Sequence, residues 1–206
     1  MGDDVDLMLD LHGRATLPQA RILIEALAPL KPLFIEEPVR PELVGRLDRI
    51  TSTSTVPIAM GERLYARHEF LQALEAGAAV VQPDLSHAGG ITEARRIADL
   101  AEMFDAAFAP HCPLGPVTLA SSLQVDAVAP TFLIQEQSID IHAGRSDALS
   151  WLVDTTPLRP VDGSVPLLTG PGLGLEIDEA AVRQAARDHR FRSPIWHRSD
   201  GSFTEW

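Results

Sequence analysis

Leu33–Pro38 reads LFIEEP: three apolar residues, two adjacent carboxylates, then a proline. A short apolar run without polar alternation fits a strand covered on both faces. The proline stops it, because it has no N–H to give to a ladder. Working outward in both directions, the same event recurs. Toward the N-terminus, VDLML (Val5–Leu9) is followed by Asp10 and then His12. Toward the C-terminus, VPIAM (Val56–Met60) leads to Glu62, and AVVQ (Ala79–Gln82) leads to Asp84. AAFA (Ala106–Ala109) leads to His111, and FLIQ (Phe132–Gln135) leads to Glu136. Each apolar run thus delivers an ionisable residue just past its end, at intervals of about 25 residues.

The segments between these runs carry apolar residues at helical spacing: Leu17–Leu30, Pro41–Ile50, His68–Gly77, Ile91–Phe104 and Pro116–Ala129. Pro41 suits a first helical turn and Gly77 a C-terminal cap. Buried strands alternating with helices specify an α/β fold with a parallel sheet. Six such strands with a repeat near 25 residues predict a (β/α) barrel of the TIM type more than an open sheet. A doubly wound open sheet is the other arrangement the pattern allows. In a barrel the C-terminal strand ends converge on one mouth, so the six in-phase residues would share one site.

The residue types define what such a site can do. Asp10, Glu36 and Glu62 come from three successive strands, and crowded carboxylates repel unless a cation neutralises them. An oxygen-only ligand set favours a hard ion such as Mg²⁺. Salt bridges to Arg14, Arg40 and Arg63 are the competing account, and spacing alone does not choose Glu36 over Glu37. His111 lies in PHCP, between Pro110 and Pro113, on stiff backbone. Asp84, one strand earlier, can hydrogen-bond one ring nitrogen and raise the basicity of the other, which makes a general base. His12 can act as a second acid or base beside the metal. Glu136 can donate a proton or hydrogen bond if burial raises its pKa, or else cap the next segment. Together these parts fit removal of a proton alpha to a carboxylate, with loss of a β-hydroxyl assisted by the second acid. Two smaller features have plainer readings: Ala88–Gly90 (AGG) as a tight loop and Cys112 as a packing residue.

DLHGR (Asp10–Arg14), FIEEPV (Phe34–Val39), GERL (Gly61–Leu64), QPDLSHAGGITE (Gln82–Glu93), APHCPLGP (Ala109–Pro116) and QEQS (Gln135–Ser138), in this order, resemble the enolase superfamily, mandelate racemase subgroup. PGLGLEIDE (Pro171–Glu179) and Trp206 extend the likeness. The resemblance implies Asp10, Glu36 and Glu62 as ligands of one Mg²⁺. It implies His111 as the base with Asp84 as its partner, His12 as the leaving-group acid, and Glu136 as a hydrogen bond to the enediolate. The activity implied is dehydration of a sugar acid to a 2-keto-3-deoxy product. A different enediolate-forming enzyme, half of a split enzyme and an inactive remnant are the alternatives. The resemblance also implies that the family's capping domain and first two βα units are not represented here. Residues 1–150 are then expected to form the partial barrel that carries the site. Residues 151–206 would return toward the cap domain.

Bulk properties limit the partners. A formal net charge of -12 argues against nucleic acid and anionic membrane surfaces. The one cysteine allows no internal disulfide, and no apolar run is long enough to cross a bilayer. MGDDVDLMLD lacks the basic and apolar regions of a signal peptide, so a cytoplasmic location is expected. The expected partners are a small sugar-acid substrate and either further copies of the chain or a separate N-terminal fragment, which would cover open sheet edges.

Overall fold

The structure is a computed structural model that describes residues 4–113, 115–139, 149–188 and 195–202. Five βα units follow in order. They are β1 (Met8–Asp10) and α1 (Leu17–Leu27), β2 (Phe34–Glu36) and α2 (Asp48–Thr51), and β3 (Ile58–Met60) and α3 (Arg67–Glu75). Then come β4 (Val80–Val81) and α4 (Ile91–Met103), and β5 (Ala107–Phe108) and α5 (Pro116–Asp126), with a later α6 (Glu179–Asp188). Thr16 caps α1 in a capping box, its backbone N–H donating to the Gln19 side-chain oxygen at 3.0 Å. The helix expected over Pro41–Ile50 is instead a 3₁₀ turn, Pro41–Arg46, followed by the short α2. Gly45 in mid-segment weakens α-helical winding by about 1 kcal/mol relative to alanine, which favours that split.

All four strand pairings are parallel, and the spatial order β1-β2-β3-β4-β5 repeats the chain order. A doubly wound sheet would reverse direction at a switch point. Monotonic order without reversal is the wall of a barrel. The sixth expected strand is reduced to one parallel bridge, Phe108↔Phe132. Around it, the Phe108 N–H donates to the Thr131 carbonyl at 2.9 Å and the Leu133 N–H to the Phe108 carbonyl at 2.8 Å. The segment therefore runs beside β5 in the sixth position, in agreement with the TIM-type barrel that the periodicity predicts and with the partial one, about six of eight strands, that the resemblance implies.

Strand alternation sorts the side chains into two layers. Leu9, Ile35, Ile58, Met60, Val81 and Phe108 point outward into the helix layer. There they meet Ile24, Leu47, Phe70, Leu74, Ile97 and Ala101. Phe34, Ala59, Val80 and Ala109 form a separate inner cluster. The inner layer is made of smaller side chains, and a cavity of about 330 Å³ opens beside it, lined by Met8, Phe34, Glu36, Gln82, Ala109 and Ile134 to Gln137.

Downstream, the chain folds back onto α5. Leu152, Leu158 and Leu168 pack with Cys112, Leu119, Ala120 and Leu123 in one cluster. In this segment Leu152 pairs with Ile177 and Val161 with Ser164 in isolated antiparallel bridges. Trp206 lies outside the described residues. No described helix is long and apolar enough to cross a membrane.

One buried charge stands apart from the barrel mouth. Asp126, at the end of α5, is 8% exposed, and neither carboxylate oxygen has a hydrogen-bond partner among the described residues. Burial pushes its carboxyl up to about 8. The folded pKa is raised, so the stability is present below the unfolded value and is lost as pH rises toward about 8. Asp126→Asn is expected to raise Tm at pH 8 by about 5–10 °C and to leave it nearly unchanged at pH 4. Thermal unfolding followed by circular dichroism at both pH values checks this.

Candidate active site

The site starts where β1 ends. Asp10 Oδ1 accepts the His12 N–H at 2.6 Å, which closes a tight turn. His12 and Gly13 both have left-handed backbone, with φ of 52° and 61°. This turn brings the His12 ring back over the strand end, with Nδ1 3.1 Å from Asp10 Oδ2. His12 Nε2 approaches Glu62 Oε1 at 3.4 Å. The other Glu62 oxygen is 3.4 Å from His111 Nε2. His111 Nδ1 lies 2.9 Å from Asp84 Oδ2. Asp84 Oδ1 in turn accepts from the Ser86 N–H at 2.7 Å and the Ser86 hydroxyl at 2.5 Å. Asp10, His12, Glu62, His111 and Asp84 thus form one continuous line of contacts, with buried Glu62 at its centre.

Glu36 stands beside this line. Its Cα pairs in register with that of Asp10. Burial pushes the Glu36 carboxyl up to about 8; a hydrogen bond from Gln82 opposes this, and the charges of Asp10, Glu62 and Glu136 add to it. Burial also raises Glu136, against the pull of His111 and of a 3.2 Å hydrogen bond from the Cys112 N–H. For His111, burial favours the neutral ring, but the Asp84 hydrogen bond and the Glu136 and Glu62 charges outweigh it, so its pKa is raised. Asp84 goes the other way: burial is outweighed by hydrogen bonds from His111 and Ser86, and its pKa is lowered. An anionic Asp84 on one ring nitrogen leaves His111 Nε2 as the basic atom, facing Glu62.

All seven residues singled out from the sequence are described, and their contacts and charges place them at one mouth. The tightest potential ligand group is Asp10, His12 and Glu62, whose donor atoms lie within 4.8 Å of one another. Glu36 instead lines the cavity with Gln82, and its carboxyl feels the charge of both carboxylates. The donor chemistry fits a hard divalent cation: oxygen ligands predominate, and the charges of Asp10 and Glu62 add to the burial that raises Glu36. Of the three arginines weighed as salt-bridge partners, Arg63 engages the acids, donating from Nε and Nη2 to Glu37 Oε2 and lying 3.9 Å from Glu62. Sequence reasoning missed Gln82 as part of the site and weighed Glu37 only as an alternative to Glu36. Gln82 had a signal: it is a polar residue at the end of an otherwise apolar strand. Cys112 is buried in the α5 cluster, as its packing role predicts, and Ala88–Gly90 forms the loop into α4.

The chain matches the family described as enolase C-terminal domain-like over residues 1–181, and it belongs to that family. It is 49% identical over 205 residues to a D-galactonate dehydratase of Variovorax paradoxus (strain S110), covering 98% of this chain and 54% of that protein. It is 47% identical over 208 residues to a D-galactonate dehydratase of Xanthomonas axonopodis pv. citri (strain 306), covering 100% of this chain and 54% of that one. The chain therefore spans about half the length of the curated relatives it matches. Among solved structures, it resembles an enolase from Agrobacterium radiobacter with bound Na and L-malate. That match has TM-score 0.86 and 36% identity, over 98% of this chain and 54% of that one. A mandelate racemase/muconate lactonizing enzyme from Jannaschia sp. CCS1 matches with TM-score 0.82 and 34% identity, over 94% and 47% of the two chains.

The electrostatics can be checked directly. In chelator-treated protein, Glu36 is expected to titrate near pH 8, read by carbon NMR of labelled glutamate. Removing the opposing hydrogen bond in Gln82→Leu is expected to move that titration higher still.

Proposed function

We propose that this chain carries the catalytic barrel of a Mg²⁺-dependent dehydratase of sugar acids, with D-galactonate as substrate. The observation that carries the reading is the line Asp10–His12–Glu62–His111–Asp84, which puts a base and a second imidazole on either side of an acidic cluster. The names of the relatives support the substrate. Asp10, Glu36 and Glu62 would hold the ion, which when bound supplies positive charge to the substrate carboxylate.

In this mechanism His111 Nε2 takes the proton from C2, and Asp84 stabilises the imidazolium through Nδ1. The electron pair left by the C–H bond forms the enediolate, toward whose oxygen Glu136, its pKa raised by burial, offers a hydrogen bond. The pair then forms the C2–C3 double bond as the C3–O bond breaks. His12 gives its proton to the departing hydroxyl, which leaves as water. The enol tautomerises to the 2-keto-3-deoxy acid. The proposal includes a partner that closes the barrel wall, either a second copy or a separate N-terminal fragment, because β1 is an edge of the sheet.

The test is incubation of the purified chain with Mg²⁺ and a panel of aldonates, with and without an N-terminal fragment from a relative, assayed for 2-keto acid. Product with D-galactonate supports the reading. Exchange of the C2 hydrogen with deuterated solvent without 2-keto acid would indicate a racemase, and neither product nor exchange would indicate an inactive remnant. His111→Asn is expected to lower kcat by about 10³-fold while Mg²⁺ affinity, measured by calorimetry, stays within about twofold. Asp10→Asn and Glu62→Gln are expected to abolish that affinity.

A further inference from the structure

We infer that Glu37 and Arg63 are positioning residues that set the His12 ring and the Glu62 carboxylate against each other; their catalytic relevance rests on the function proposed above. Glu37 is fully buried and has φ of 39°, an unusual backbone for a non-glycine residue. Its carbonyl accepts the Gly13 N–H at 2.8 Å, and its own N–H donates to the Ala59 carbonyl at 3.0 Å. Its backbone therefore ties the turn after β1 to β3. Its side chain repeats the tie, because Oε2 accepts both Nε and Nη2 of Arg63, the residue directly after Glu62.

The guanidinium also fills a specific space. A Cβ at Gly13 would lie 2.2 Å from Arg63 Nη2, and Gly13 has φ of 61°. The turn that carries His12 thus rests directly on the arginine that Glu37 holds. The other ends of this strut are His12 and Glu62, whose facing atoms are 3.4 Å apart.

Stability is a poor reason for this pair. Desolvating two charges often cancels their attraction, and apolar replacement of a buried pair is often neutral or stabilising. Glu37 Oε1 has no hydrogen-bond partner among the described residues, which adds to the cost. What the pair supplies is geometry at three strand ends, and outer partners of this kind control metal affinity by about 10–100-fold.

The experiment compares Glu37→Leu/Arg63→Met and Arg63→Lys with the native chain. Thermal stability, Mn²⁺ affinity by electron paramagnetic resonance and the His12 ring signals in ¹⁵N-histidine NMR are read for each. The double variant is expected to keep Tm while Mn²⁺ affinity falls about 10–100-fold and the His12 signals move; those of exposed His68 and His197 stay. Arg63→Lys keeps the charge without the planar fork and is expected to show an intermediate loss. Unmoved His12 signals with native Mn²⁺ affinity in a folded double variant would overturn the inference. If that variant does not fold, the same result in Arg63→Lys overturns it. None of these readouts needs turnover. If the chain dehydrates no aldonate, or the native chain binds no Mn²⁺, the His12 signals alone decide the positioning role.

Discussion

The constraint from which the rest follows is like charge held in a small space. Asp10, Glu36, Glu62 and Glu136 feel one another at one end of a sheet, where Glu62 is buried and Glu36 half-buried. A fold with no use for this arrangement would place such acids on helix surfaces. Here the parallel strands deliver them one after another to the same mouth, and the imidazoles of His12 and His111 lie on two sides of Glu62. Desolvation raises the carboxyls of Glu36 and Glu136 and the neighbouring charges add to it, whereas hydrogen bonds from His111 and Ser86 lower Asp84.

The scaffold makes this possible through a division of labour between the faces of each strand. Outward residues such as Ile35, Ile58 and Phe108 bury against the helices and hold the sheet. Inward residues such as Ala59 and Ala109 are small, and they leave the space into which Glu36 and Gln82 reach. Gly61, next to Glu62, allows a close approach of backbone to backbone: a Cβ there would lie 2.6 Å from the Gln82 backbone nitrogen. Strand β3 therefore sits against β4 at the level where the site is built.

Much of this was legible in the sequence because its signals are local and periodic. The run LFI, its proline and the recurrence of an acid or histidine every βα unit fixed the class of fold and the mouth. The seven residues chosen on that basis meet there; six follow the ends of successive apolar runs, and His12 arrives through the left-handed turn after β1. Less legible was anything that depends on contact between distant turns. Spacing did not separate Glu37 from Glu36; its role in the geometry depends on a left-handed backbone and on Arg63, neither of which periodicity reveals. The break between Pro41–Arg46 and α2, and the packing of Leu152, Leu158 and Leu168 on α5, are tertiary outcomes in the same sense.

That last packing reaches further than its position implies. Cys112 contributes its side chain to the leucine cluster and its N–H to Glu136. The same residue is therefore a hinge point between a greasy patch outside the barrel and a carboxyl group at its mouth. Loosening the downstream leucines would slacken that donor, and with it the grip on one acid of the mouth, without altering any residue that faces the cavity.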